Sequence, residues 1–227
     1  MSATDPLSTL GLTLRAGAVE IALVRHADAI PEDGLHGTTY DDYELHPLSE
    51  RGLAQAHAAA EHLADQRLAA VYTSPTRRAR ETAVAIADRA RRELIEDEAL
   101  VEVHIGPMDG DAMPMRRRLE ALATIAIRDG SWMSIAGTEP STTVRERMTH
   151  ALDVIAVRHP GERVAVVSHA GAINAFLGVV AGTPHDFVFP LANASISIVR
   201  INGDRRLLMS ANETTHLRST APPAVPS

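Results

Sequence analysis

The sequence predicts an α/β protein: a three-layer sandwich with a mostly parallel central sheet and helices on both faces. Three observations lead there. Short apolar runs, Val19–Arg25 and Arg163–Ser168, read as buried strands of the kind found inside parallel sheets. Long Ala- and Leu-rich helical stretches alternate with them, and the order β-α-β-α…α-β-α-β-β calls for parallel pairing through helical crossovers. A closing hairpin around Asn202-Gly203 supplies an antiparallel edge.

Taken in order, Val19–Arg25 follows Gly17 and is predicted to be central. Residues 27–47 carry Pro31, Gly34, Gly37 and Pro47, and a loop of that length in a compact domain is usually functional. PLSERGLAQAHAAAEHLADQ then reads as a helix with Ser49 as N-cap before Glu50. Leu68–Thr73 is a second strand, and Pro75 is placed in the first turn of a helix from Thr76 to about Ala90, where its missing N–H matters least. An extended segment over 93–102 and a Gly/Pro-punctuated loop over 103–118 lead to helices at Arg116–Arg128 and Ser141–Arg158. After Arg163–Ser168 comes a helix to about Val180, then strands Ser195–Ile201 and Arg205–Ala211. The expected organisation is an N-terminal extension over 1–18, one domain over 19–212 with a helical insertion near 105–145, and a flexible tail over 213–227, rich in Pro, Ala and Ser at its end.

Composition excludes several kinds of chemistry. With no cysteine, disulfides, zinc–thiolate sites and a cysteine nucleophile are impossible. The 22 Lys+Arg stand against 29 Asp+Glu, a formal charge of −7 that argues against general nucleic-acid binding. No stretch reaches the roughly 18–20 apolar residues of a membrane span. The first residues lack a basic leader before an apolar core, so a cytoplasmic protein is expected.

Ligands of parallel sheets sit beyond the carboxyl ends of the strands, and three of those ends are chemically loaded. The first strand ends in Arg25-His26, the second runs into TSPTRRARE, and the Arg163 strand ends in Ser168-His169. This set suits a dianionic phosphate. Guanidinium groups match phosphate oxygens in pairs, and a neutral imidazole can attack phosphorus. Phosphoryl transfer then needs in-line positioning, charge stabilisation, and an acid for the leaving oxygen.

VRHAD, HPLSERGLAQA, TSPTRRARETA, LVEVHIGPMDG and VVSHAGAI, in that order over most of the chain, resemble the histidine phosphatase superfamily, the phosphoglycerate mutase-like family. The resemblance implies that His26 is the nucleophile and becomes phosphohistidine, and that Arg25 and Arg78 hold phosphate oxygens. His169 would be the second histidine on the phosphoryl group, and Glu102 the proton donor. No metal or cofactor is implied. The partner would be a phosphorylated small molecule, with a phosphoprotein the alternative; a homodimer is compatible with the pattern. Hydrolysis is the expected reaction, with mutase-type transfer and a non-catalytic phospho-ligand module as rivals.

Two departures from the family pattern bear on substrate. Ala27 and Asp28 follow the nucleophile, and no Asn occurs between His26 and Asn174, so the usual Asn contact to phosphate falls to another group, with Thr38 or Thr39 as candidates. Met108 stands where an aromatic is common. Arg77 and Arg80 read as a solvated helix face with Glu81 nearby.

Overall fold

The computed structural model describes residues 17–29, 45–105 and 115–220. Its six strands are β1 (Val19–Arg25), β2 (Val71–Thr73), β3 (Leu94–Glu96), β4 (Arg163–Ser168), β5 (Ile196–Asn202) and β6 (Arg205–Glu213). They form one sheet in the order β3-β2-β4-β1-β5-β6. The first four neighbours run parallel, while β5 pairs antiparallel with both β1 and β6. Helices α1 (Glu50–Ala64), α2 (Arg77–Ala90), α3 (Met115–Asp129), α4 (Ser141–Arg158) and α5 (Ala170–Ala181) complete the described elements.

Because side chains alternate across a strand, β1 and β4 feed two separate cores. Ile21, Leu23, Val164 and Val166 join Met148 and Leu152 of α4 and Phe176 of α5. Ala22, Val24, Ala165 and Val167 join Leu63 of α1 and Ala83 and Ile86 of α2 on the opposite face. Strands buried on both faces have no use for polar alternation, which is why they read as continuous apolar runs. The three layers and the central place of β1 agree with the sequence reading. Among the described residues no helix is long and apolar enough to cross a membrane.

Four local differences have physical reasons. β2 is shorter than Leu68–Thr73: Leu68 is buried and the Ala69 N–H bonds to the Arg163 carbonyl, but ladder pairing begins only at Val71. Pro75 precedes the N-cap Thr76 instead of occupying the first turn, so it fixes the entry of α2 from outside. Residues 93–102 divide into β3 and a 3₁₀ turn at Glu98–Leu100 that Asp97 caps. The span expected as a tail, 213–227, begins with regular structure. β6 reaches Glu213, and a turn over Thr215–Thr220 follows in which His216 stacks on His62 of α1 at 5.1 Å. The extension over 1–16 and residues 221–227 lie outside the described residues.

The chain leaving β1 is fastened to the start of α1. Ser49 caps α1 by accepting from the Gly52 N–H at 3.1 Å, and its hydroxyl donates to the Asp28 carboxylate at 2.7 Å. Arg51 pairs with the same carboxylate at 2.9 Å. Helix and loop approach so closely that a Cβ on Gly52 would lie 1.9 Å from the Asp28 carbonyl oxygen. Elsewhere in a helix, Gly to Ala stabilises. Here the sign reverses: Gly52→Ala is expected to lower unfolding free energy by about 1–3 kcal/mol through overpacking, read as a lower urea midpoint.

Candidate active site

The two histidines meet because β1 and β4 are neighbours in parallel register. Arg25 pairs with Ser168, so the next residue of each strand, His26 and His169, emerges at the same rim. The His26 N–H bonds to the Ser168 carbonyl at 2.9 Å, and the imidazole centroids stand 5.0 Å apart. β2, on the other side of β4, delivers the chain at Ser74, whose N–H bonds to the Val167 carbonyl at 3.0 Å. From there the first turn of α2 aims Arg78 inward.

Arg78 is 1% exposed and lies among the largest fully buried side chains. Its Nε donates to His26 Nε2 and its Nη2 to His169 Nδ1, each at 3.3 Å. A guanidinium can only donate, so both ring nitrogens facing it carry lone pairs. The opposite nitrogens must then carry the protons. His26 Nδ1 donates to the Ala27 carbonyl at 2.8 Å, and His169 Nε2 donates to Ser74 Oγ at 3.0 Å with Thr76 Oγ1 at 3.2 Å. Burial first, then the Arg78 charge, holds both imidazoles well below the usual histidine range. Both rings are thus neutral, each with a lone pair turned toward one cation.

Glu102 arrives on a different support. Its Oε1 accepts from the Ala172 N–H at 2.9 Å and from the Val103 N–H at 2.9 Å; its Oε2 accepts from the Gly171 N–H at 3.2 Å. The carboxyl therefore sits on the N-terminus of α5, where orphan N–H groups favour an acceptor. This seating requires Gly171, since a Cβ there would stand 2.7 Å from Glu102 Oε1.

Arg25, His26, Arg78 and Glu102 line one cavity of about 160 Å³, and His169 backs it through its contacts with His26 and Arg78. Arg25 donates through Nη1 to the Leu191 carbonyl at 2.6 Å. All five residues singled out from the sequence therefore converge. As read, Arg77 and Arg80 stay at the surface, paired at 2.7 Å with Glu81 and Glu96 respectively. Thr38, Thr39 and Met108 lie outside the described residues.

Three supporting residues escaped the sequence reading. Arg147 of α4 donates to the carbonyls of Ala99, Val101 and Glu102 at 2.7–3.0 Å while paired with Glu139, and so ties down the segment that carries Glu102. Thr82 accepts from the Ala27 N–H and donates to the Arg78 carbonyl. Asn193 donates to the His26 carbonyl at 3.2 Å. In sequence each is an ordinary helix or loop polar residue, and no spacing marks it.

Two neutral imidazoles and a buried guanidinium at the carboxyl edge of a parallel sheet define an α/β enzyme of phosphoglycerate mutase-like architecture. Among solved structures the chain is similar to Bacillus stearothermophilus YhfR (TM-score 0.72, 24% identity, covering 88% of this chain and 99% of that one). It is also similar to a phosphoglycerate mutase from Bacillus anthracis (TM-score 0.70, 17% identity, 90% and 97% covered). At those identities the likeness shows the fold alone. In sequence it is 32% identical, over 88% of its own length and 84% of the relative's, to a protein of Arabidopsis thaliana named metal-independent phosphoserine phosphatase. Residues 21–214 match the profile of the histidine phosphatase superfamily (branch 1). The chain belongs to that superfamily.

The lowered histidines set a pH dependence of stability. The native state keeps both imidazoles neutral, while the unfolded chain takes up protons near pH 6.5. Stability is therefore full above that value and falls as the pH drops toward the folded-state values. Each histidine contributes a slope of about 1.4 kcal/mol per pH unit inside that window. His26→Gln should flatten the acid side of the profile by one histidine's worth, measured as urea midpoints across pH.

Proposed function

We propose that the protein is a phosphomonoesterase working through a phosphohistidine on His26. The observation that carries this reading is the placement of Arg78, which donates to Nε2 of His26 and Nδ1 of His169. A phosphoryl group entering between them takes the place of the Arg78 Nε–H on the His26 lone pair and keeps the guanidinium beside its oxygens.

In the first step His26 Nε2 attacks phosphorus and the ester P–O bond breaks. The Nδ1–H bond to the Ala27 carbonyl holds the ring in the tautomer that keeps a lone pair on Nε2, which exchanges its Arg78 Nε–H donor for phosphorus, and it supports the positive charge that develops on the ring. Arg78 and Arg25 neutralise the equatorial oxygens. His169, held from behind by Ser74, accepts from Arg78 Nη2 through Nδ1 and so fixes the guanidinium beside the same group. A proton on Glu102 passes to the departing oxygen. In the second step water attacks the phosphohistidine, Glu102 takes its proton, the P–N bond breaks, and inorganic phosphate leaves with the His26 lone pair restored.

Hydrolysis is preferred here to mutase-type return of the phosphoryl group. A mutase must also hold the carboxylate of a sugar acid, and beyond its floor the described cavity wall offers no Lys, Arg or His for that purpose.

Incubation with an aryl phosphate, quenched in alkali, should trap an acid-labile phosphoenzyme. His26→Ala should abolish both the adduct and phosphate release; turnover retained in that variant would refute the assignment. Glu102→Gln should discriminate between leaving groups. Alkyl phosphates, whose alkoxide needs a proton, should lose roughly 10²–10⁴ in kcat. A nitrophenyl phosphate, whose anion leaves unaided, should lose far less. Equal losses on both would assign Glu102 a structural role instead.

A further inference from the structure

Among the described residues, the cavity above the catalytic floor has a wall of one chemical kind. Val103, Leu119, Leu122, Trp132, Ile135 and Phe187 surround it. The Trp132 ring is 3% exposed, and its polar edge is already satisfied, Nε1 donating to the Glu139 carbonyl at 3.0 Å. Phe187 meets it edge-on at 5.7 Å between centroids. The segment carrying Phe187 is pinned on either side. Asp186 accepts from Ser131 and Ser141, and Asn174 Oδ1 accepts from the Val188 and Phe189 N–H groups. The Trp132 and Phe187 part of this wall is therefore held in place by its own contacts.

The apolar surface also continues outward. A second cavity of about 480 Å³ shares Arg25, Ala123, Ala170 and Phe187 with the first and extends to Ile127 and Leu191. Ile127 is 60% exposed.

We infer that the preferred substrate is a phosphate monoester of an apolar alcohol or phenol. This inference rests on the phosphomonoesterase reading and names the substrate class for that site. A phosphorylated amino acid would bring an ammonium and a carboxylate against Leu, Trp and Phe, and burying charges without partners is heavily unfavourable. An alkyl chain or aromatic ring instead removes apolar surface from water on both sides. The dianionic head alone then engages Arg25 and Arg78, and the remainder of the ester fills the wall.

The experiment compares phosphate release by the full chain from n-alkyl phosphates, ethyl through octyl, from naphthyl phosphate, and from phosphoserine and 3-phosphoglycerate. Alkanols of this series differ little as leaving groups, so chain length isolates the wall. kcat/KM should rise about three- to fourfold per methylene until the cavity is filled, and Leu122→Ala should reduce that increment. Phosphoserine and 3-phosphoglycerate should fall below octyl and naphthyl phosphate. A response flat with chain length, or a preference for either charged ester, would overturn the substrate class while leaving the phosphomonoesterase reading intact. No turnover of any ester, together with no trapped phosphoenzyme, would overturn that reading itself.

Discussion

A guanidinium buried to 1% exposure between two imidazoles constrains everything around it. A cation taken out of water must find acceptors, and a ring nitrogen accepts only when it bears a lone pair. Arg78 thereby dictates the tautomer of both histidines as well as their neutrality. The outer nitrogens must donate, and the Ala27 carbonyl and the Ser74 hydroxyl stand where those protons point. Neutrality usually reduces what a polar group can do in a site. In the proposed reaction it supplies the nucleophile, because an imidazolium has no lone pair to offer phosphorus. One buried charge thus sets orientation, protonation state and anion affinity together.

The rest of the frame can be understood as what that arrangement requires. Two imidazoles can flank one guanidinium only if β1 and β4 are adjacent and in register, as the Arg25–Ser168 pairing makes them. Arg78 can enter only if α2 begins immediately after β2, and Pro75 ahead of the Thr76 cap forces that sharp entry. Glu102 comes from a separate segment that Arg147 fastens to α4. Two glycines allow the close approaches: Gly52 under Asp28, and Gly171 under the Glu102 carboxyl. Neither has a positive φ, so the requirement at both is space and not backbone conformation.

The fold was legible because it depends on local signals, and so were Arg25, His26 and His169 at the strand ends, whereas Arg78 and Glu102 stood out only through the family pattern. Doubly buried strands read as apolar runs, Ser49 as a cap, and Asn202-Gly203 as a turn with Gly203 at φ +62. The charged ends of those strands broke the apolar pattern and so drew notice. Residues that act through tertiary contact left no such trace. Arg147 lies in RERM, a stretch like any solvated helix face, and only the return of the 99–102 segment gives it a role. Asn193 and Thr82 gain meaning from the same kind of distant partner. The apolar wall was illegible for another reason. Leu122, Trp132 and Phe187 come from three separate segments, and each taken singly is an ordinary core residue.

Wall and floor are coupled through the dielectric. Charge interactions that water would screen to about 1 kcal/mol at 4 Å grow severalfold in a partly dry protein environment. An apolar leaving group that fills the wall excludes water from the floor, and so strengthens the attraction of Arg25 and Arg78 for the phosphoryl oxygens as those oxygens are being transferred. The same dryness keeps His26 and His169 neutral, since desolvation is the largest cause of their lowered values. The chain's acidic balance of −7 does not oppose this, because long-range repulsion is screened beyond about 10 Å while the buried cations act at contact. In the proposed reaction the hydrophobic lining therefore both selects the ester and sharpens the electrostatics that cleave it.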